Sequence, residues 1–237
     1  MAESFSRRFR QGFANSLPFY IVVLPFGLIF GVIGVNAGLN LVEVMGFSVL
    51  VIAGASQLAA LQLISDNAPT IIVILTALAV NLRMAMYSAS LVPHLGGAPF
   101  WMRALSAYVL FDQPYALSMI EFEKDPARTP IEKMGFFMGV GIPMGISWYA
   151  ATFVGAVLSD KIPTDIGFEF AVPITFLAVV APMLKSLAHV ATAAASVILA
   201  MLFANLPFGS GLLVAALLSL FVGAGVEVWM ERRKANR

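Results

Sequence analysis

Cysteine is absent from the 237 residues, so neither disulfides nor thiolate metal sites are available to the fold. Charge is scarce as well. Only 11% of the residues are Asp, Glu, Lys or Arg, against about a quarter in a soluble domain. That leaves too little polar surface to cover a water-soluble globule. The net charge of +1 provides no basic field for nucleic acid. The two histidines, His94 and His189, lie far apart in sequence and do not suggest a metal site. No nucleophile elbow, Walker motif or metal-ligand spacing occurs. Neither an enzyme, a cofactor nor a metal is expected. What abounds is apolar: 60% of residues are hydrophobic and the mean hydropathy is +0.91. The expected class is an all-α polytopic membrane protein forming a single transmembrane domain in contact with lipid.

A spanning helix needs about 20 apolar residues. Eight such segments run from Ser16 to Val35, Val42 to Ile64, Thr70 to Val92, Phe100 to Ile120, Met134 to Leu158, Ile166 to Leu184, Leu187 to Leu206 and Gly211 to Met230. The connections, such as "NAGLNL", "SDNAPT" and "PHLGGAP", are rich in helix breakers. Basic residues orient the chain. With both termini in the cytoplasm, the inside segments hold Arg7, Arg8, Arg10, Lys124, Arg128, Lys133, Lys185, Arg232, Arg233, Lys234 and Arg237. The outside segments hold Arg103 and Lys161. Residues 1–15 read as a retained cytoplasmic start, 16–230 as the bundle and 231–237 as a basic tail. The joint "LKSLAH" is the weak point. Fusing spans six and seven there gives seven spans and an external C-terminus. "LPFYIVVLPFGL" in span one resembles "VPITFLAVVAPML" in span six, with Pro18 and Pro25 matching Pro173 and Pro182. Five spans apart, such a pair has the form of an inverted repeat; chance is the alternative.

Polar residues inside the spans are the candidate site. Arg83 lies about 13 residues into span three, roughly 20 Å deep. A charge at mid-bilayer costs about 3 kcal/mol or more and demands a partner. Asp112 in span four, expected to be antiparallel to span three, lies at a comparable height. The pair is either a structural ion pair or a substrate anion site with its counter-ion or proton carrier. Asn81 cannot share a face with Arg83 on a regular helix. Either it glues a neighbouring helix or the backbone breaks there. Pro114 frees the Leu110 carbonyl, and Tyr108 and Tyr115 fall on the Asp112 face. In span two, Gly54, Ser56 and Gln57 form a small-polar cluster, which is either close packing or a broken helix. Pro25 and Gly27 suggest a second break. His189 reads as structural.

Three stretches taken in order carry a family resemblance. "FRQGFANSLPFYIVVLPFGLIFGVIGVNAGL", "FSVLVIAGASQLAALQL" and "LTALAVNLRMAMYSASLVPHL" are similar to signatures of the AzlC family, the large subunits of branched-chain amino acid exporters. The resemblance implies a bacterial inner-membrane secondary transporter exporting leucine, isoleucine, valine or methionine. It also implies ion-gradient coupling and a short AzlD-type partner subunit. Relatives often carry a second acidic residue after the span-four aspartate; here it is Gln113, which leaves coupling to Asp112. The candidate substrate residues, taken from the polar and broken positions above, are Arg83, Asn81, Gln57, Ser56, Gly54 and Pro25. The rival readings are a non-transporting membrane scaffold and a channel for small solutes.

Overall fold

The computed structural model describes residues 2–161, 184, 186–204, 206 and 210–235, and every regular element among them is helical. The elements are α1 (Ala2–Ser16), a 3-10 turn (Leu17–Phe19), α2 (Tyr20–Asn36), α3 (Leu41–Val51), α4 (Gly54–Ser65), α5 (Thr70–Leu95), α6 (Phe100–Tyr108), α7 (Asp112–Lys124), α8 (Pro130–Leu158), a 3-10 turn (Ser159–Lys161), α9 (Leu187–Leu202) and α10 (Ser210–Ala235). Four stretches among the described residues are long and apolar enough to cross a membrane: Ser4–Asn36, Thr70–Leu95, Pro130–Leu158 and Ser210–Arg233. Span six, with Pro173 and Pro182, lies outside the described residues, and so does Lys185 in the "LKSLAH" joint.

The chain divides into two compact units, residues 1–58 with 80–163 and residues 59–79 with 164–237. In the second unit α9 and α10 form an antiparallel pair. Gly211 sits against the Phe203 carbonyl and Gly223 against the Thr192 hydroxyl.

The first unit is built on α8. Its start is fixed by sequence: the Thr129 side chain accepts from the Glu132 N–H, Glu132 returns the bond to the Thr129 N–H, and Pro130 opens the helix. α1 and α2 run alongside α8 and parallel to it. Phe5 meets Gly135, Phe9 meets Gly139, Gly31 meets Thr152 and Leu28 meets Gly155. At Gly139, Gly31 and Gly155 the partner's backbone carbonyl occupies the space of a Cβ. Small residues permit this approach. The expected break at Pro25 is absent, since α2 is helical through Pro25. The irregular turn in this stretch is at Pro18, in the 3-10 turn Leu17–Phe19. Within a membrane helix, neighbouring groups satisfy what proline frees.

The second and fourth expected spans do not cross. α3 runs antiparallel to α8, with Ser48 beside Thr152 and Ile52 beside Gly145, and stops halfway. α5 then runs toward the start of α8, where Lys133 Nζ lies 3.4 Å from His94 Nδ1, so the chain between α2 and α5 returns to the side it left. Gly97, between α5 and α6, is positioned so that a Cβ would lie 3.1 Å from Pro130 Cγ at the start of α8. α6 then climbs along α8: Ser106 donates to Met134 Sδ at 2.7 Å, and Val109 packs on Gly141. The chain turns over Val109–Phe111 and α7 descends. It ends with Phe122 beside His94 (ring centroids 5.2 Å apart) and with Lys133 Nζ 5.7 Å from the Phe122 ring. α6 and α7 are therefore a re-entrant hairpin, with both ends at the start of α8. A nine-residue α6 rises only about 14 Å, half a bilayer core. Composition had marked its apolar length and not its direction. Arg103, expected on the opposite side from Arg8, Lys124, Arg128 and Lys133, joins them at this basic end.

Candidate functional site

Two interrupted helices meet halfway along α8. α3 is started by a capping box, in which Asn40 Oδ1 accepts from the N–H groups of Val42 and Glu43 and Glu43 answers at the Asn40 N–H. It stops at Ile52, whose φ of 37° is left-handed and unusual for a β-branched residue. Gly145 of α8 faces the Ile52 side chain, as Gly141 faces Val109 one turn earlier. The tips are tied together: the Tyr108 hydroxyl donates to the Val49 carbonyl at 2.8 Å and lies 2.6 Å from the Tyr149 hydroxyl. Tyr108 has thus left the Asp112 face where regular spacing had placed it.

Asp112 opens α7, with Gln113 and then Pro114 behind it in the first turn. There the missing proline N–H leaves no intrahelical bond unmade. Arg83 Nη2 approaches Asp112 Oδ2 at 3.2 Å, and the Tyr87 hydroxyl donates to Oδ1 at 3.1 Å. Tyr87 stacks on Tyr115, with centroids 4.0 Å apart and planes 10° apart. Arg83, Tyr87 and His94 meet Asp112, Tyr115 and Phe122 in the same chain order, so α7 runs parallel to α5. The expected ion pair forms, but in the orientation opposite to the expected one, because α7 is the returning arm of a hairpin. Arg83 Nε is buried without a partner.

Asn81 does not break the backbone, since α5 is helical from Thr70 to Leu95. Arg83 follows it by two residues and points to a different face. Asn81 Oδ1 is buried and unpartnered. Gly54 and Ser56 lie in the first turn of α4, where the Ser56 hydroxyl donates to the Ala53 carbonyl at 2.9 Å. Gln57 is fully buried. Its Oε1 accepts from the Ala53 N–H at 3.2 Å. Pro25 stays within α2, away from any break.

Sequence reasoning missed Tyr87, whose i+4 spacing from Arg83 was the available signal. It also missed a charge cluster at the basic end. There the Glu121 carboxylate, with 5% of its side chain exposed, receives Arg128 Nη1 at 2.6 Å, Gln11 Nε2 at 2.9 Å and Lys124 Nζ at 3.4 Å, with Arg8 Nη1 at 3.8 Å. Burial works against the charge on Glu121, yet the hydrogen bonds from Arg128 and Lys124 prevail and hold the carboxyl below its ordinary range.

Comparison with known proteins places this arrangement. The chain is 29% identical to an uncharacterized membrane protein of Archaeoglobus fulgidus over 217 residues, 90% of this chain and 92% of the other. It is 24% identical to an uncharacterized membrane protein of Helicobacter pylori over 73% of this chain and 74% of the other. With the inner membrane protein YgaZ of Escherichia coli it shares 26% over 64% of this chain and 61% of the other. No solved structure matches. The family model of the AzlC protein matches residues 18–162, which contain both interrupted helices and the Arg83–Asp112 pair. On that match this membrane protein belongs to the AzlC family.

Proposed function

We propose that the chain is a secondary transporter exporting branched-chain and similar apolar amino acids across the bacterial inner membrane. The observation that carries this reading is the Arg83–Asp112 pair. Its side chains are 28% and 31% exposed, halfway along a membrane helix and at the start of a half-helix. Exposed charge cannot face lipid at that depth without a cost of several kcal/mol. The open sides of the pair therefore face a solute path or a partner subunit. Broken helices at mid-depth bind zwitterions well, because helix starts favour carboxylates and exposed acidic or carbonyl groups favour ammonium. Asp112, with Tyr87 beside it, serves the ammonium and carries the coupling ion. Gln113 adds no second carboxylate. An apolar wall separates leucine, isoleucine, valine and methionine only weakly, since one methylene is worth roughly 1–3 kcal/mol.

The basic end is the cytoplasmic end in this reading, following the positive-inside bias, with both termini cytoplasmic. The short AzlD-type subunit that the family resemblance implies would cover part of the exposed apolar face of α5, which includes Leu78, Leu82 and Met86. Counterflow of labelled leucine in proteoliposomes, with and without that subunit, is the test. Arg83→Ala and Asp112→Asn should abolish flux while the protein stays folded. Undiminished flux in both would sink the site.

A further inference from the structure

We infer that the start of α4 is the carboxylate subsite of this transporter and that Gln57 Nε2 is the donor that reads the substrate there. The inference rests on the transporter reading and adds a division of labour within it. α4 restarts at Gly54 after the left-handed Ile52, and at twelve residues it is a full helix with an N-terminal field. The first-turn amides have no intrahelical acceptor. The site is close-walled: a Cβ on Gly54 would lie 2.5 Å from Phe26 Cε1 and 3.0 Å from Trp148 Cη2.

Gln57 decides which ligand charge suits this end. A glutamine offers both an acceptor and a donor, so its residue type alone suits either end of a zwitterion. In the structure Oε1 is committed to the Ala53 N–H. That bond also fixes the orientation of the amide, because the reversed orientation would set two donors against each other. What remains is Nε2, a donor on a side chain with no exposed surface and no partner. Trp148, whose ring borders Gly54, also has a buried indole N–H without a partner. A helix start with the unmet Gln57 donor beside it accepts an anion and repels an ammonium. Arg83, the nearest alternative for a carboxylate, is already neutralised by Asp112. The carboxylate is then read at the start of α4. The Tyr108–Val49 bond ties the end of α3 to the end of α6, so this restart is coupled to the hairpin that carries Asp112.

Leucine counterflow in proteoliposomes of wild type, Gln57→Glu and Gln57→Met tests this. Gln57→Glu keeps an acceptor for the Ala53 N–H and replaces only the donor, with a charge that repels carboxylate. The expected result is a leucine KM raised by about tenfold or more in both variants, with the thermal midpoint of Gln57→Met near wild type. Excess leucinamide, whose carboxylate is exchanged for a neutral amide, should compete poorly in wild type and well in Gln57→Glu. If Gln57→Glu does not fold, the KM of Gln57→Met decides alone. Wild-type KM in whichever variant folds overturns the assignment, as does leucinamide competing equally with leucine in wild type. Absence of counterflow in wild type itself defeats the transporter reading, and the Gln57 assignment falls with it.

Discussion

Asp112 takes a guanidinium on one oxygen and a phenol on the other. These two partners come from positions 83 and 87 of one helix, so neither can shift without the other. Tyr87→Phe removes the hydrogen bond and keeps the stack on Tyr115. A hydrogen bond to a charged group is worth about 1.5–3 kcal/mol. We expect leucine flux to fall by roughly tenfold or more and the unfolding midpoint to drop by no more than the loss of that one bond, measured by counterflow and by unfolding of the purified protein. Glu121 behaves differently. It is a buried carboxylate satisfied from several sides, and its role is to hold α1, α7 and the loop before α8 together. Removing one partner of a buried network costs about 3–5 kcal/mol, so Glu121→Ala should destabilise strongly. Its pH signature has a fixed sign. Because the folded carboxyl titrates below its ordinary value of 4.5, its contribution is complete above that value and disappears as pH falls through the lower folded one. The stability gap between wild type and Glu121→Gln should be constant above about pH 5 and narrow in acid. A gap independent of pH down to acid unfolding would contradict this.

At the scale of elements, glycine does two opposite jobs. Along α8 and α2 it is a contact surface. Gly155 lies where a Cβ would strike the Leu28 carbonyl, and Gly31 where one would strike the Thr152 carbonyl. In α3, Gly46 has nothing within 4 Å of the position of a Cβ. Gly155→Val should therefore cost about 1–3 kcal/mol or more through overpacking. Gly46→Ala should gain up to about 1 kcal/mol from helix propensity alone. Unfolding midpoints in one detergent compare the two directly. The starts of α3 and α8 carry local signals, Asn40 with Glu43 and Thr129 with Glu132, but spans drawn from apolar length alone placed the second of them at Met134. The break between α3 and α4 was half legible, since the Gly54–Gln57 cluster allowed packing or interruption equally. Pro25 misled, because a proline marks a lost hydrogen bond and not whether neighbours restore it. Asn81 left two readings open, a helix contact or a broken backbone; α5 is continuous there, so the conflict of faces did not require a break.

For the whole molecule, apolar length was legible and direction was not. Phe100–Ile120 has the composition of a span, but a bilayer-length apolar stretch folded at its middle has the same composition. The only sign available was Arg103, a cation that the eight-span arrangement left on the sparsely charged side. Returning α6 and α7 to the basic end puts it with Arg8 and Arg128 and brings Asp112 alongside Arg83 in parallel order. Sidedness distinguishes the two topologies. The native chain has no cysteine, so Asn36→Cys, Pro99→Cys and Ala127→Cys, all at exposed positions, report individually. A membrane-impermeant maleimide applied to right-side-out and inverted vesicles reads the side of each. Eight full crossings put Asn36 and Pro99 on one side and Ala127 on the other. The two re-entrant segments, α3–α4 and α6–α7, put Pro99 with Ala127, opposite Asn36. The second pattern is expected, with Pro99→Cys labelled efficiently only in inverted vesicles. Labelling of Pro99→Cys together with Asn36→Cys would mean that α6 enters from the far side, and would remove the parallel register that sets Arg83 and Tyr87 on Asp112 and Tyr115.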